Sequence, residues 1–472
     1  MSKIRVLLLT NRDSDNVGDQ IIEATVISLI KGVFANLGVA ADGFEISSRA
    51  AGIISRAYMR TRDEALLESA RKSISEADVI VFGGAPLFNY AYQDFYLRTI
   101  ITLELAQEYN VPVIFSSIGV EPFNAENPKS MRLKEALALP VVRQITTRDD
   151  FDSLQKYVEG TDTVIAHVSD PAVFADIVFD KHPVKAPPKP APSFAYRVKR
   201  RLKRIARQVL RRSTPAKVAS VPSQPVATAV PARKRVGLVV TRAGIFKANG
   251  IEFNEAAQRT FWLEVAALLE ERGYDYRFFT TGHFSDEVFL EAMVRESGLP
   301  ANKAAITINS PEELVAELKA CAGVIAYRLH ASITSFAYEI PSVGLSWNFK
   351  VPYFYESVGH GDRALDHTHW NAAEVVDALE KAMGEGVHKD EAFVMSVYDT
   401  LFTGLKAIVA PKSERKPFTY AELQTNLPRY GGTSLALYRE KMRRKLRRTY
   451  EEYQKHYTYV MDNEARKQST AQ

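Results

Sequence analysis

Arg328 and His330 stand two residues apart, at the end of the apolar run Val324 to Tyr327 and just before Ile333, Phe336 and Ala337 at helical spacing. A short apolar run that stops at a charge reads as a buried parallel strand. The pair therefore falls where a strand's carboxyl end meets a helix's amino end. Anions bind at such junctions in α/β proteins, because free backbone N–H groups and the helix dipole face the ligand there. A guanidinium fork suits carboxylate or phosphate, and an imidazole can give or take a proton near neutrality. The plainer reading is an arginine in a surface pair and a boundary histidine with its hydrogen bonds met. A second arginine, Arg242, has a comparable place: the run Val236-Gly237-Leu238-Val239-Val240 leads into Thr241-Arg242-Ala243-Gly244.

Further candidates lie in the other half of the chain. Asn16-x-Gly18-Asp19 follows the strand-like run at 4–9 through a polar loop, and could equally be a turn with an Asp cap. Gly83-Gly84 follows Val79-Ile80-Val81-Phe82; paired glycines allow a ligand or a neighbouring loop to come close to the backbone. Asp149 and Asp150 suggest paired carboxylates, or first-turn acids favoured by a helix dipole. His367-x-His369 resembles half a metal site but has no third ligand at a recognisable spacing, so it reads as a loop. Neither G-x-G-x-x-G nor the P-loop lysine pattern is present, which argues against dinucleotide binding and Walker-type ATP hydrolysis.

The elements that must position these residues alternate strand, loop and helix in two runs. The fold class expected is α/β. The first run occupies residues 1–180, with a helix expected to begin near Asp19. The second occupies 236–410, including strands near Tyr276 to Phe279 and Ala305 to Thr307 and a helix opened by the Ser310 cap. Residues 411–472 form a basic extension, with a helix expected around Arg439 to Arg448.

Residues 181–235 separate the two runs. They hold sixteen Lys and Arg, no Asp or Glu, and nine prolines, the signature of a linker. The chain's net +5 less those sixteen leaves −11 for the rest, so the basic character is local. Within the linker Val198, Leu202, Ile205 and Val209 share one helical face among arginines and lysines. Residues 197–212 are thus suited to an anionic membrane surface, to nucleic acid, or to keeping the linker solvated. At 472 residues with 46% hydrophobic and 25% charged content, the composition is that of a soluble globular protein with sizeable cores. Cys321 is the lone cysteine, which rules out an intrachain disulfide. The expected location is the cytoplasm, with peripheral contact at the inner face of the membrane through 197–212.

In its order of motifs the sequence resembles the polysaccharide pyruvyl transferase family. The matching stretches are Asn16-x-Gly18-Asp19-x-x-Ile22, Val79 with Gly83-Gly84, Ser117-Ile118-Gly119, Thr147-Arg148-Asp149 with Ser153, Asp170-Pro171-Ala172, Arg242, and Arg328-Leu329-His330 with Pro341-Ser342-Val343. The resemblance implies two Rossmann-like domains facing across a cleft, as in GT-B glycosyltransferases. It also implies transfer of pyruvate from phosphoenolpyruvate to a sugar as a ketal, in polysaccharide or exopolysaccharide biosynthesis, with phosphate released. Arg242, Arg328 and Leu329 would then lie on the donor side with His330 as the acid, its pKa held up by the donor's phosphate. Asp19, Asn16, Gly18, Gly83 and Gly84 would face the acceptor, expected to be a lipid-linked sugar. No cofactor, metal or nucleic acid is expected; phosphoenolpyruvate enters as the donor substrate. A nucleotide-sugar glycosyltransferase of the same fold stays open, with Glu339 or Glu356 placed to hold a donor ribose. A non-catalytic protein recruited to membrane or nucleic acid by its basic segment stays open too.

Overall fold

Each apolar run becomes one strand of a parallel sheet, and the computed structural model describes residues 3–90, 95–180 and 233–470. In the first half the strands are β1 Ile4–Thr10, β2 Phe44–Ala50, β3 Val79–Gly83, β4 Val113–Ile118, β5 Val142–Thr147 and β6 Val164–His167, in spatial order β2-β1-β3-β4-β5-β6. In the second they are β7 Arg235–Val239, β8 Asp275–Phe279, β9 Ala304–Ala305, β10 Gly323–Ala326, β11 Ser342–Ser346 and β12 Ala364–Asp366, in order β12-β11-β10-β7-β8-β9. All pairings between neighbouring strands are parallel. Central strands such as β3 and β4 are buried along their whole length because helices cover both faces, which is why they read as unbroken apolar runs. The fold is α/β, with two Rossmann-like halves in a GT-B-like arrangement.

Strand order decides where a ligand can sit. In the second half the chain reverses direction across the sheet between β7 and β10; in the first it reverses between β1 and β3. Loops diverge at such a switch point and leave a crevice at the strands' carboxyl ends. Arg242 follows β7 and Arg328 follows β10, so both arginines flank one crevice. The Asn11 to Asn16 loop and Gly84 flank the other.

Three apolar clusters hold the molecule together. One lies on the outer face of each sheet, around Phe82, Phe115 and Tyr157 in the first half and Trp262, Phe278 and Tyr327 in the second. The third is shared: Val6, Leu8 and Val26 join Val239, Val324 and Phe336 in one continuous core. Helix Val17–Asn36 lies at its centre, so the halves are fused along one side.

The domain limits read from sequence need one correction. Helix Glu391–Val409, inside the expected second half 236–410, packs on the first sheet instead: Gln144 Nε2 donates to Thr400 O at 3.1 Å and Asn36 Nδ2 to Tyr398 OH at 3.2 Å. It is apolar enough to be read as belonging anywhere, and burial in the shared core absorbs that surface. The extension 411–472 contains helix Leu435–Thr470, which crosses both halves. Lys445 Nζ donates to Glu287 at 2.6 Å, Tyr438 OH to Glu313 at 2.9 Å, and Arg448 pairs with Asp15. Lys441 and Lys445 are therefore buried, while Arg439, Arg443 and Arg447 of the same helix are exposed. The proposed amphipathic segment 197–212 lies outside the described residues.

Candidate functional site

Asp286 sits at the centre of the second half's crevice and is fully buried. Its Oδ1 accepts from Arg242 N at 3.2 Å, Arg242 Nη1 at 3.3 Å and Thr241 Oγ1 at 3.3 Å. Its Oδ2 accepts from Arg328 Nε at 2.8 Å, with Arg328 Nη2 2.6 Å away. One carboxylate thus orients two guanidinium groups, and one positive charge is left over. His283 adds a ring nitrogen 3.1 Å from Arg242 Nη1; burial above all pushes its pKa down to about 4, so it is neutral near pH 7. Two oriented guanidinium groups with one net positive charge are chemically suited to a carboxylate or phosphate.

His330 lies in the first turn of helix Leu329–Ala337 and crosses to the other half. Its Nδ1 is 3.1 Å from Asn16 Nδ2 and its Nε2 4.0 Å from Asp19 Oδ1. Asn16, not Asp19, caps helix Val17–Asn36, accepting from Gly18 N at 3.1 Å, so the helix starts two residues earlier than expected. Gly18 is required by contact: a Cβ there would stand 2.3 Å from His330 Cβ and Cγ. Nearby, Val17 N donates to Thr281 O at 2.7 Å and ties the β1 loop to the β8 loop. The Asn16-x-Gly18-Asp19 motif is therefore the seat of His330. Gly18→Ala improves helix propensity by up to about 1 kcal/mol, yet is expected to lower kcat/KM by about 10²-fold through displacement of the imidazole. Steady-state kinetics alongside thermal unfolding would show it.

The electrostatics of this pair are set by burial and by neighbouring cations. Burial, then Arg148, Arg328 and Lys350, push the His330 pKa down to about 3, so within the protein alone the imidazole is neutral at pH 7. The expectation of a proton on His330 rested on the donor's phosphate; these three cations, which that expectation did not count, act in the opposite sense. Burial raises Asp19 to about 6, against the opposing pull of Ser14, Arg148 and Asn11. Asn11 Nδ2 donates to Asp19 Oδ2 at 3.2 Å. Because its folded pKa is raised, Asp19's contribution to stability is fully present below about pH 4 and lost as pH rises through about 6. Asp19→Asn is thus expected to gain stability over the wild type across that window, by about 3 kcal/mol above pH 7. Denaturant melts at pH 4.5 and 7.5 measure it; an advantage that does not grow with pH contradicts the raised pKa.

Two cations carry no assigned role in the sequence reading, although Arg148 stands in one of its motifs. Arg148, after β5, forms a buried pair with Asp170, after β6. Lys350, at the start of helix Lys350–Ser357 after β11, has its pKa lowered by burial, with Asp149 acting in the opposite sense. Both act electrostatically on His330. Asp149 Oδ1 accepts from Val120 N at 2.7 Å and Thr147 Oγ1 at 2.9 Å, while its buried Oδ2 has no hydrogen-bond partner among the described residues. Asp150 caps helix Phe151–Val158 through Ser153, so the two acids do not act as a carboxylate pair. Leu329 and Lys350 line a small crevice with Arg148, Asp149 and Asp170.

Gly83 and Gly84 have another reason for being glycine. A Cβ at Gly84 would meet Ile22 Cγ2 at 2.4 Å and one at Gly83 would meet Val26 Cγ1 at 3.0 Å, so both let helix Val17–Asn36 close on β3. Gly84 also has φ +60°. From Asn11 a groove of about 1140 Å³ runs along the first half's strand ends past Arg56, Arg60, Tyr96 and Arg98. Glu339 and Glu356 are exposed; Glu339 pairs with Lys389 at 3.5 Å. His367 and His369 are exposed as well, and no group of three His, Cys, Asp or Glu among the described residues could hold a metal ion.

Solved structures share this architecture at low identity. A putative UDP-N-acetylglucosamine 2-epimerase from Listeria monocytogenes superposes with TM-score 0.51 and 11% identity, over 89% of this chain and 100% of that one. The UDP-GlcNAc 2-epimerase from Methanocaldococcus jannaschii gives 0.46 and 13%, over 84% and 98%. The E. coli ADP-heptose lipopolysaccharide heptosyltransferase II gives 0.35 and 11%, over 81% and 99%. No curated protein matches the sequence. The family model for polysaccharide pyruvyl transferase matches residues 16–348, from the Asn16 cap through both arginines and His330 to the loop after β11. The chain belongs to the polysaccharide pyruvyl transferase family.

Proposed function

We propose that this protein transfers pyruvate from phosphoenolpyruvate to a sugar of a polysaccharide or lipid-linked oligosaccharide as a ketal. The observation that carries the reading is the convergence of Arg242 and Arg328 on Asp286, with His330 reaching from the same crevice to Asp19 of the other half. Phosphoenolpyruvate offers a carboxylate and a phosphate a few ångströms apart, which suits two oriented guanidinium forks. Its negative charge among Arg328, Arg148 and Lys350 offsets the cations that lower the His330 pKa, so donor and proton arrive together.

His330 then gives its proton to the donor's methylene carbon. The adjacent carbon becomes electrophilic and one sugar hydroxyl adds to it; the bond to the phosphate oxygen breaks and a second hydroxyl of the same sugar closes the ketal. Of the two hydroxyl protons released, one leaves with phosphate and the other restores the His330–Asp19 pair. The groove beginning at Asn11 gives the acceptor a path to this point. A nucleotide-sugar donor is less well served, since Glu339 and Glu356 are both exposed.

The test is to incubate the purified protein with labelled phosphoenolpyruvate and a panel of lipid-linked and free oligosaccharides. Label in an acid-labile saccharide ketal with stoichiometric phosphate release is expected. Transfer from a nucleotide sugar, with nucleoside diphosphate release and phosphoenolpyruvate untouched, would replace the reading.

A further inference from the structure

A second charged cavity lies away from the arginine pair, between helix Val17–Asn36, the loop after β1 and the carboxyl-terminal helix Leu435–Thr470. Its volume is about 420 Å³, within the range of small-molecule sites. Lys441 lines it at 3% exposure, and its Nζ has no hydrogen-bond partner among the described residues. Arg444, one turn further on the same helix face, leaves its buried Nε unpartnered. Asn309 on the opposite wall is 2% exposed.

The carboxylates nearby are committed to other cations or, for Glu440 on the cavity's rim, exposed to solvent. Arg12 holds Glu23 at 3.5 Å and Asp13 at 3.9 Å; Lys445 holds Glu287 at 2.6 Å; Arg448 holds Asp15; and Glu440 is exposed. Neither Lys441 nor Arg444 forms an ion pair with a carboxylate among the described residues. A buried, unpaired ammonium costs several kcal/mol, and a Met of similar length would fill the same space without that cost. The arrangement makes sense when an anion completes it. We infer that the cavity walled by Lys441, Arg444 and Asn309 binds a phosphate-class anion: phosphate, a phosphate monoester or a diphosphate. The two cations supply charge and N–H donors spaced along one helix face, as tetrahedral oxyanions require. Burial, then Lys445 and Arg444, lower the Lys441 pKa to about 7, with Asp15 and Glu287 opposing, so binding would take up a proton near neutrality. An occupant would tie the terminal helix to the loop that leads to Asn16.

The test uses full-length protein carrying Arg328→Met, so that the donor arginines do not report the same anion. Calorimetric titration with inorganic diphosphate is expected to show one site, weakened roughly tenfold or more by Lys441→Met. Lys441→Met should itself fold with an unchanged or higher melting temperature, and lose the rise in melting temperature that diphosphate gives its parent. Flotation with vesicles containing phosphatidic acid, against phosphatidylcholine alone, separates the sources. Lys441-dependent flotation without Lys441-dependent diphosphate binding supports the site and assigns the anion to a lipid. If neither diphosphate nor phosphatidic acid binding responds to Lys441→Met, Lys441 is a buried charge without a ligand and the inference is overturned.

Discussion

Replacing His330 by Gln is expected to lower kcat for the proposed pyruvyl transfer by about 10²- to 10⁴-fold, the usual contribution of a positioned proton donor. Its effect on KM for phosphoenolpyruvate should be small, because in the proposed binding mode Arg242 and Arg328 carry the donor's charge. Gln keeps an amide near Asn16 and fills much of the imidazole's volume, so the seat made by Gly18 is preserved while the titrating group is removed. A second readout isolates the proton. With a pKa near 3 in its protein surroundings, His330 is uncharged at pH 7 and must gain a proton when the donor's negative charge displaces that equilibrium upward. Calorimetry of phosphoenolpyruvate binding in buffers of different ionisation enthalpy should therefore record proton uptake at pH 7 in the wild type, and less of it in His330→Gln. Near wild-type turnover in the variant, or proton uptake unchanged by it, would remove His330 from the acid role. Uptake retained in His330→Gln but lost in Asp19→Asn would move that role to Asp19, whose raised pKa already places it near neutrality.

The arginines and the histidine were legible because each ends an apolar run, and a buried parallel strand cannot continue through a charge. The same rule located inner strands such as β3, β7 and β10 and hence the α/β class, whereas the edge strands β2 and β12 have no such apolar run and were not foreseen. What joins these residues was not legible. Asp286 reads in sequence as one of two acids opening a helix, Phe284-Ser285-Asp286-Glu287, where the dipole alone explains it. Only the strand order β10-β7-β8 places the loops bearing Arg328, Arg242 and Asp286 side by side, and no local pattern encodes that order. The contact between Gly18 and His330 spans 312 positions and depends on the two halves closing on a shared core. Gly84 was legible as special but not for its cause, since a glycine packed under Ile22 and one approached by ligand look alike in sequence. Arg148 and Lys350 follow strand ends as Arg242 and Arg328 do; applying the strand-end rule to every strand would have given Arg148, quoted only within a motif, a charge-bearing role and would have raised Lys350.

Asp286→Ala is expected to have the largest effect on the fold of the site. It removes the partner of two guanidinium groups and leaves Arg242 and Arg328, whose charges already act on one another, without the carboxylate between them. Deleting one member of a buried charge network costs about 3–5 kcal/mol, because the remaining charges stay desolvated. Denaturant midpoints should fall accordingly, and phosphoenolpyruvate binding should become undetectable as the two forks lose their orientation. Asp286→Asn separates the electrostatic from the steric part. The amide keeps the shape and one acceptor oxygen but gives up the charge and puts an N–H group against a guanidinium. It should therefore retain more of the stability than the alanine variant while still losing about 10²-fold in kcat/KM. A midpoint and donor affinity near wild type in Asp286→Ala would mean that the arginines are held by packing alone, and that the carboxylate is a bystander in the crevice. Recovery of donor binding in Asp286→Ala at high phosphoenolpyruvate, with kcat restored, would instead show that the donor can take over the carboxylate's place between the two forks.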